Sequence, residues 1–253
     1  MNIKDRVVVI TGAAGGLGAA MAARLGGAGA RLALLDMQAG KLDQLAAALG
    51  LDDSRCLRLE CDVANEGAVD QVMAQIRQHF GALDVLVNNA GITRDALLIK
   101  LRDGELLSRM SLANWQAVID VNLTGVFLCT RAAAEHMARD ASGGVIINIS
   151  SISRHGNMGQ SNYSASKAGV QAMAVTWSRE LSRYGIRSAS ISPGFVNTEM
   201  VQAMKPEALD KMKGNIPAGR LAEPDEIAAT VQFIIENDFV SGRDFAVDGG
   251  MRL

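Results

Sequence analysis

Short apolar and β-branched runs alternate with longer helical stretches along nearly the whole chain, and this alternation limits the fold more than any other feature. VVVIT (7–11), LALLD (32–36), CLRLECDV (56–63), LDVLVNNAG (83–91), GVIINIS (144–150), IRSASISPG (186–194) and DFAVDG (244–249) read as strands. Between them, LGAAMAARLGGAGA and stretches near 40–49, 66–80, 113–138, 163–184 and 224–236 read as helices. The first run is continuous rather than alternating, as befits a strand buried on both faces. The pattern predicts an α/β fold: a doubly wound, Rossmann-type arrangement of seven parallel strands with helices on both faces. No Pro/Ser linker, low-complexity tract or repeat divides the 253 residues, so a single domain over 1–253 is expected.

Composition excludes several classes of function. A net charge of −2 without any Lys/Arg cluster argues against a nucleic-acid surface. No apolar run reaches the roughly 18 residues of a membrane helix, and MNIKDRVVVITG enters a strand pattern without a signal-peptide core. Cys56, Cys61 and Cys129 are odd in number and lack CxxC spacing, which suits free, buried thiols in a reducing compartment. The expectation is a cytoplasmic protein with no nucleic-acid or membrane partner. His79, His136 and His155 lack metal-ligand spacing, so no metal site is expected.

The first turn carries the first chemical signal. TGAAGGLG places Gly12, Gly16 and Gly18 between a strand and a helix, in a TGxxxGxG pattern. Glycines allow a tight turn and close approach to a pyrophosphate, and a helix N-terminus supplies free N–H donors. Glycine serves ordinary turns too, but Asp36, at the tip of the second predicted strand, adds the acidic residue a dinucleotide site requires. Its carboxylate can accept from a ribose 2′-OH and repels a 2′-phosphate. With Met37 next and no basic side chain in the glycine loop, NAD is the expected cofactor.

NYSASKAG (162–169) carries the second signal. Tyr163 and Lys167 lie four apart and share a helix face. An ammonium beside a phenol favours the phenolate, and a phenol tuned towards working pH can exchange a proton with an alcohol. A Y-x-x-x-K pair alone is common surface decoration. Here it follows INISS, where serines leave the carboxyl end of a predicted strand, the end at which open α/β sheets bind ligands.

TGAAGGLG, CDV, NNAG, VNLTG, NISS, YSASK and the PG of ISPGFVNTEM occur in the order seen in the short-chain dehydrogenase/reductases, and the chain resembles that family along its whole length. NNAGITRDALL, IPAGRL and VDGGMRL resemble its 3-oxoacyl-acyl-carrier-protein reductases most. The resemblance implies an NAD(H)-dependent oxidoreductase interconverting a secondary alcohol and a ketone. The substrate would be a free alcohol or ketone, or a 3-hydroxyacyl/3-oxoacyl thioester; a non-catalytic dinucleotide-binding scaffold or sensor is the alternative. It also implies a homo-oligomer, a tetramer.

Site residues follow from the same resemblance. Tyr163 would be the general acid/base, with Lys167 lowering its pKa and holding the nicotinamide ribose. Asn122 would anchor a water linking Lys167 to solvent. Gly12, Gly16, Leu17 and Gly18 would cradle the pyrophosphate, Asp36 the adenosine ribose, and Asp62 and Val63 the adenine. Asn89, Ala90 and Gly91 would back the cofactor, and Pro193, Gly194, Val196 and Thr198 would line its nicotinamide side. The substrate-binding serine is Ser150 by spacing from Tyr163 but Ser151 by alignment of the strand end. Because strand register is fixed by burial while loops absorb deletions, Ser151 is favoured.

Two segments stand outside these motifs. Met200, Met204 and Met212 follow the PG turn and suit either core packing or a mobile apolar lid. Residues 95–115, DALLIKLRDGELLSRMSLANW, exceed the family's usual length by about ten residues, roughly a short hairpin. Asp103–Gly104 between apolar runs predicts a β-hairpin beside the substrate entrance, with Ser111 as the next helix's N-cap. An extension of the following helix is the alternative, because Leu97, Leu98 and Leu101 also fit helical spacing.

Overall fold

Continuous apolar runs without a polar face can only be buried from both sides, and the central strands are. β1 (Val7–Thr11), β4 (Val85–Asn88) and β7 (Gly144–Ile149) bury every residue. The computed structural model describes residues 1–198, 201 and 206–252. Its order runs from β1 through α1 (Gly16–Gly27), β2 (Arg31–Asp36), α2 (Ala39–Leu49), β3 (Cys56–Glu60) and α3 (Glu66–Phe80) to β4. A hairpin of β5 (Ile99–Arg102) and β6 (Glu105–Arg109) precedes α4 (Leu112–Ile119) and α5 (Gly125–Arg139). The chain then forms β7, α6 (Ser161–Glu180), β8 (Ile186–Pro193), α7 (Pro206–Gly214), α8 (Pro224–Glu236) and β9 (Asp244–Val247).

Seven of these strands form one parallel sheet in the order β3-β2-β1-β4-β7-β8-β9, the doubly wound arrangement that the alternating sequence predicts. Side chains alternate across β1: Val8 and Ile10 join the core beneath α1 and α8, while Val7 and Val9 join the core beneath α3 and α5. The strand order reverses between β1 and β4. Their following loops therefore diverge to opposite faces and leave a crevice at the carboxyl edge.

Helix α4 begins where its cap dictates: Ser111 Oγ accepts the Asn114 N–H at 3.1 Å. The sequence predicts one uninterrupted helix over 113–138; the structure instead inserts a π turn at Asp120–Thr124, between α4 and α5. From Leu112 to Arg139 the run is long and apolar enough by composition to cross a membrane, but Val118, Val126, Cys129, Ala133 and Met137 are buried in the protein.

The 95–115 segment forms the hairpin that its turn chemistry predicts. Asp103 and Gly104 take φ of +52° and +82°, the two left-handed positions of a tight turn, which rules out continuous helix there. Every residue of β5 and β6 is exposed. The hairpin is held at its base, where the Ala96 N–H donates to the Gly159 carbonyl at 2.9 Å and Gln160 Nε2 donates to Asp95 Oδ2 at 3.0 Å. Of the three methionines, Met200 and Met204 lie outside the described residues. Met212 packs against a small apolar cluster of Ile152, Ile216, Leu221 and Met251.

Replacing Ile99–Arg109 by a short turn is expected to lower the unfolding free energy by less than about 1 kcal/mol, because the deleted side chains are all exposed. Urea denaturation measures this directly, and a loss of several kcal/mol would mean that the hairpin supports the core.

Candidate active site

The crevice is built from backbone first. Thr11 ends β1, and its hydroxyl accepts the N–H groups of Asn89 and Ala90, both at 3.0 Å. Asn89 Nδ2 returns the contact, donating to the carbonyls of Thr11 and Gly12 at 3.0 and 2.9 Å. These bonds clamp the loop after β4 onto the loop after β1. Gly12 sits at φ +62°, and a Cβ there would lie 2.8 Å from Ala90 Cα. At Gly18 a Cβ would strike the Gly12 carbonyl oxygen and approach Ala13 Cα to 2.7 Å. Helix α1 starts at Gly16 with no side-chain cap, so its first-turn amides stay available. Thr198 stands over this start, its Cγ2 3.0 Å from where a Gly16 Cβ would be.

Asp36 is oriented at the tip of β2. Its carboxylate accepts the Ala14 N–H at 3.1 Å and the Gln38 N–H at 3.0 Å, which places the charge beside the glycine turn. A bare helix N-terminus, a cradle filled by any Cβ and an adjacent carboxylate fit the pyrophosphate and ribose of a dinucleotide. Asp62 and Val63 continue from β3 beside Asp36, whose carbonyl accepts the Cys61 N–H at 3.0 Å. Val63 is buried against Gly125, whereas Asp62 is exposed.

The second half of the crevice is a cleft of about 510 Å³ at the ends of β4, β7 and β8. Leu17, Asn89, Gly91, Ser151, Tyr163, Lys167, Pro193, Gly194, Val196 and Thr198 all line it. Ser150 and Ser151 both border it, but their hydroxyls part ways. Ser150 is buried, and its hydroxyl donates to the Lys167 carbonyl at 2.8 Å. The Ser151 hydroxyl accepts the Ser153 N–H at 3.1 Å and is hydrogen-bonded to the Tyr163 phenol. Lys167 is buried, and Nζ donates to the Ile149 carbonyl at 2.7 Å while standing 5.5 Å from the Tyr163 ring centre.

Burial dominates the electrostatics. It pushes Tyr163 above its ordinary value; the Ser151 hydroxyl pulls it part-way back and Asp95 pushes it up. The Lys167 ammonium is itself directed at the Ile149 carbonyl rather than at the phenol oxygen. Burial pushes Lys167 down to about 8 by stripping water from the ammonium. Asn122, inside the π turn, accepts the Ile92 N–H at 2.8 Å and donates to the Ile92 carbonyl at 2.9 Å. It faces Lys167 across Gly91, where a Cβ would lie 3.3 Å from Asn122 Oδ1 and 3.6 Å from Lys167 Nζ.

Comparison with known proteins bears on the same residues. Residues 12–252 match the family described as Enoyl-(Acyl carrier protein) reductase. A 3-oxoacyl-[acyl-carrier-protein] reductase from Synechocystis sp. is 39% identical over 251 residues, covering 97% of this chain and 96% of its own. One from Thermotoga maritima is 36% identical over 254 residues, covering 99% of each. A (3R)-3-hydroxyacyl-CoA dehydrogenase from Canis lupus familiaris is 38% identical over 262 residues, covering 99% of this chain and 98% of its own. The chain belongs to the short-chain dehydrogenase/reductase family.

As a member of that family it is an oxidoreductase acting on CH–OH groups, and its cofactor is a nicotinamide dinucleotide. The cleft also gathers residues that the short-chain dehydrogenase/reductase motifs do not single out: Arg94, Asn157, Gln160 and Phe195. They come from irregular loops, which carry no periodic signal in the sequence.

Gly18→Ala is expected to cost ~1–3 kcal/mol by overpacking against backbone that cannot yield, and to weaken dinucleotide binding by about tenfold or more. Gly15→Ala, where no atom lies within 4 Å of the added Cβ, should leave the melting temperature unchanged. Thermal unfolding with fluorescence titration of the cofactor checks both; equal effects would remove the steric account of the turn.

Proposed function

We propose that the protein is an NAD(H)-dependent oxidoreductase that interconverts 3-hydroxyacyl and 3-oxoacyl thioesters through Ser151, Tyr163 and Lys167. The observation that carries the proposal is the convergence of these three side chains on one cleft at the carboxyl edge, beside the glycine turn. A scaffold that only bound a dinucleotide would have no use for a hydrogen-bonded Ser–Tyr pair beside a buried lysine. The thioester rests on the relatives, whose names specify acyl-carrier-protein or CoA substrates.

A nicotinamide dinucleotide held by the glycine turn and Asp36 would supply or accept the hydride. In the reducing direction the Tyr163 phenol, whose pKa burial raises, donates its proton to the carbonyl oxygen as negative charge develops there. The Ser151 hydroxyl donates a hydrogen bond to the same oxygen and fixes it within reach of the phenol. Lys167 stabilises the phenolate left behind, its buried ammonium acting at low dielectric where a charge counts for more than in water. Asn122 braces Ile92 and so holds the Gly91 backbone between itself and Lys167. The fixed carboxylate of Asp36 favours a free ribose 2′-OH over a 2′-phosphate, the reason for preferring NAD to NADP.

Tyr163→Phe is expected to lower kcat by about 10²–10⁴-fold while leaving cofactor affinity within about twofold, since it removes a proton donor and little else. Steady-state rates on 3-oxoacyl thioesters measure it, and a variant near the wild-type rate would sink the mechanism. Wild-type protein should prefer NADH to NADPH in kcat/KM, and Asp36→Ala should narrow that preference by relieving repulsion with the 2′-phosphate. A wild-type preference for NADPH would show that Asp36 does not select the cofactor.

A further inference from the structure

Beyond the Ser–Tyr–Lys set, the turn that carries Ser151 is held by a buried ion pair. Ser151 is the N-cap of a short 3₁₀ turn, Ile152–His155. The Ser151 carbonyl accepts two bonds from Arg154, one from the backbone N–H and one from Nη1, both at 3.1 Å. The other arm of the guanidinium, Nη2, lies 3.1 Å from Asp244 Oδ2 on β9. The side chains of Arg154 and Asp244 are each only 10% exposed. Asp244 Oδ1 accepts the hydroxyls of Ser190 and Ser192 on β8, at 2.7 and 2.8 Å. Directly after Ser192 the end of β8 delivers Pro193, and then Gly194, to the cleft.

Stability alone is a poor reason for this arrangement. Buried ion pairs are often no more stabilising than apolar side chains of the same volume. Arg154 Nε is buried and meets no acceptor among the described residues, which adds a desolvation cost. What the pair does supply is geometry. A planar guanidinium reaching Ser151 and Asp244 at once sets the distance between the serine turn and the edge of the sheet, as a single-point ammonium cannot. Arg154 does not line the cleft, so it acts through Ser151.

We propose that Arg154, clamped by Asp244, is a positioning residue that fixes the Ser151 backbone and thereby aims the Ser151 hydroxyl at the Tyr163 phenol and the substrate oxygen. The proposal rests on the assignment of Ser151 above. Small displacements of a hydrogen-bond donor are costly in a reaction that depends on alignment, up to about 10²-fold for 1 Å. Loss of aim also removes the serine hydrogen bond that holds the phenol's pKa down, so the phenolate needed for alcohol oxidation forms at higher pH.

The test is a double-mutant cycle. Arg154→Lys keeps the charge opposite Asp244 and loses the fork; Arg154→Met with Asp244→Asn removes both charges, so that neither is buried alone. Each is made in wild-type and Ser151→Ala backgrounds, and kcat, KM, cofactor affinity, melting temperature and the pH profile of alcohol oxidation are measured. In the wild-type background kcat should fall about 10–100-fold, with cofactor affinity within about twofold and the oxidation profile displaced to higher pH. In the Ser151→Ala background the same changes should cost less than about twofold, because the serine they act through is gone. Equal losses in both backgrounds, or an unchanged kcat with Arg154→Lys, would overturn the positioning role. Ser151→Ala by itself at the wild-type rate would instead overturn the assignment of the serine, and the two failures are read from different variants.

Discussion

The site depends on two neighbouring parallel strands ending at the same level and being tied there. The Thr11 hydroxyl and the Asn89 amide form that tie, with four hydrogen bonds between the ends of β1 and β4. Parallel strands cannot be joined by a tight turn; each must leave through a crossover. At the reversal of strand order the two crossovers depart to opposite faces, and a gap opens between them. The gap becomes a binding crevice because its floor is rigid. Thr11 and Asn89 hold the floor, and the glycines keep it thin enough for the loops to touch.

Around that floor the electrostatics follow from dryness rather than from opposed charges. Tyr163 and Lys167 both move towards their neutral forms, the phenol upward and the ammonium downward, because each has lost water. Lys167 donates to a backbone carbonyl and Tyr163 meets a serine. Charge created in such a place is stabilised by whichever dipoles are already aligned, so the placement of one hydroxyl matters more there than it would in water.

The sheet was legible in the sequence because burial on both faces leaves continuous apolar strands, and nothing but a parallel sheet uses several of them between helices. The glycine turn and Asp36 were legible for a different reason: their residue types answer to steric and electrostatic demands that few alternatives satisfy. The Asp103–Gly104 turn was legible from left-handed backbone preference alone. The π turn left no trace, because one extra residue in an apolar helix does not disturb its composition. The buried partner of Arg154 was equally hidden, since Asp244 lies 90 residues away in sequence and the pairing depends on β8 and β9 being neighbours. The hydrogen-bond partner of Lys167 was not legible from spacing: four residues apart on a helix fixes a shared face, but not where a long ammonium side chain ends.

The π turn also changes what surrounds the helix that contains it. An added residue rotates everything beyond it by about 100° relative to an unbroken α-helix. The first segment, α4, packs against α6, while the second, α5, packs against α3. One rod of 28 residues therefore serves two neighbours by slipping phase once, at Asp120–Thr124. Asn122 sits at the slip, and its amide grips the backbone of Ile92. The irregularity works as a gear change: it lets a single helix mesh with two partners and turns, at the point of change, one side chain towards both Ile92 and Ser166 of α6.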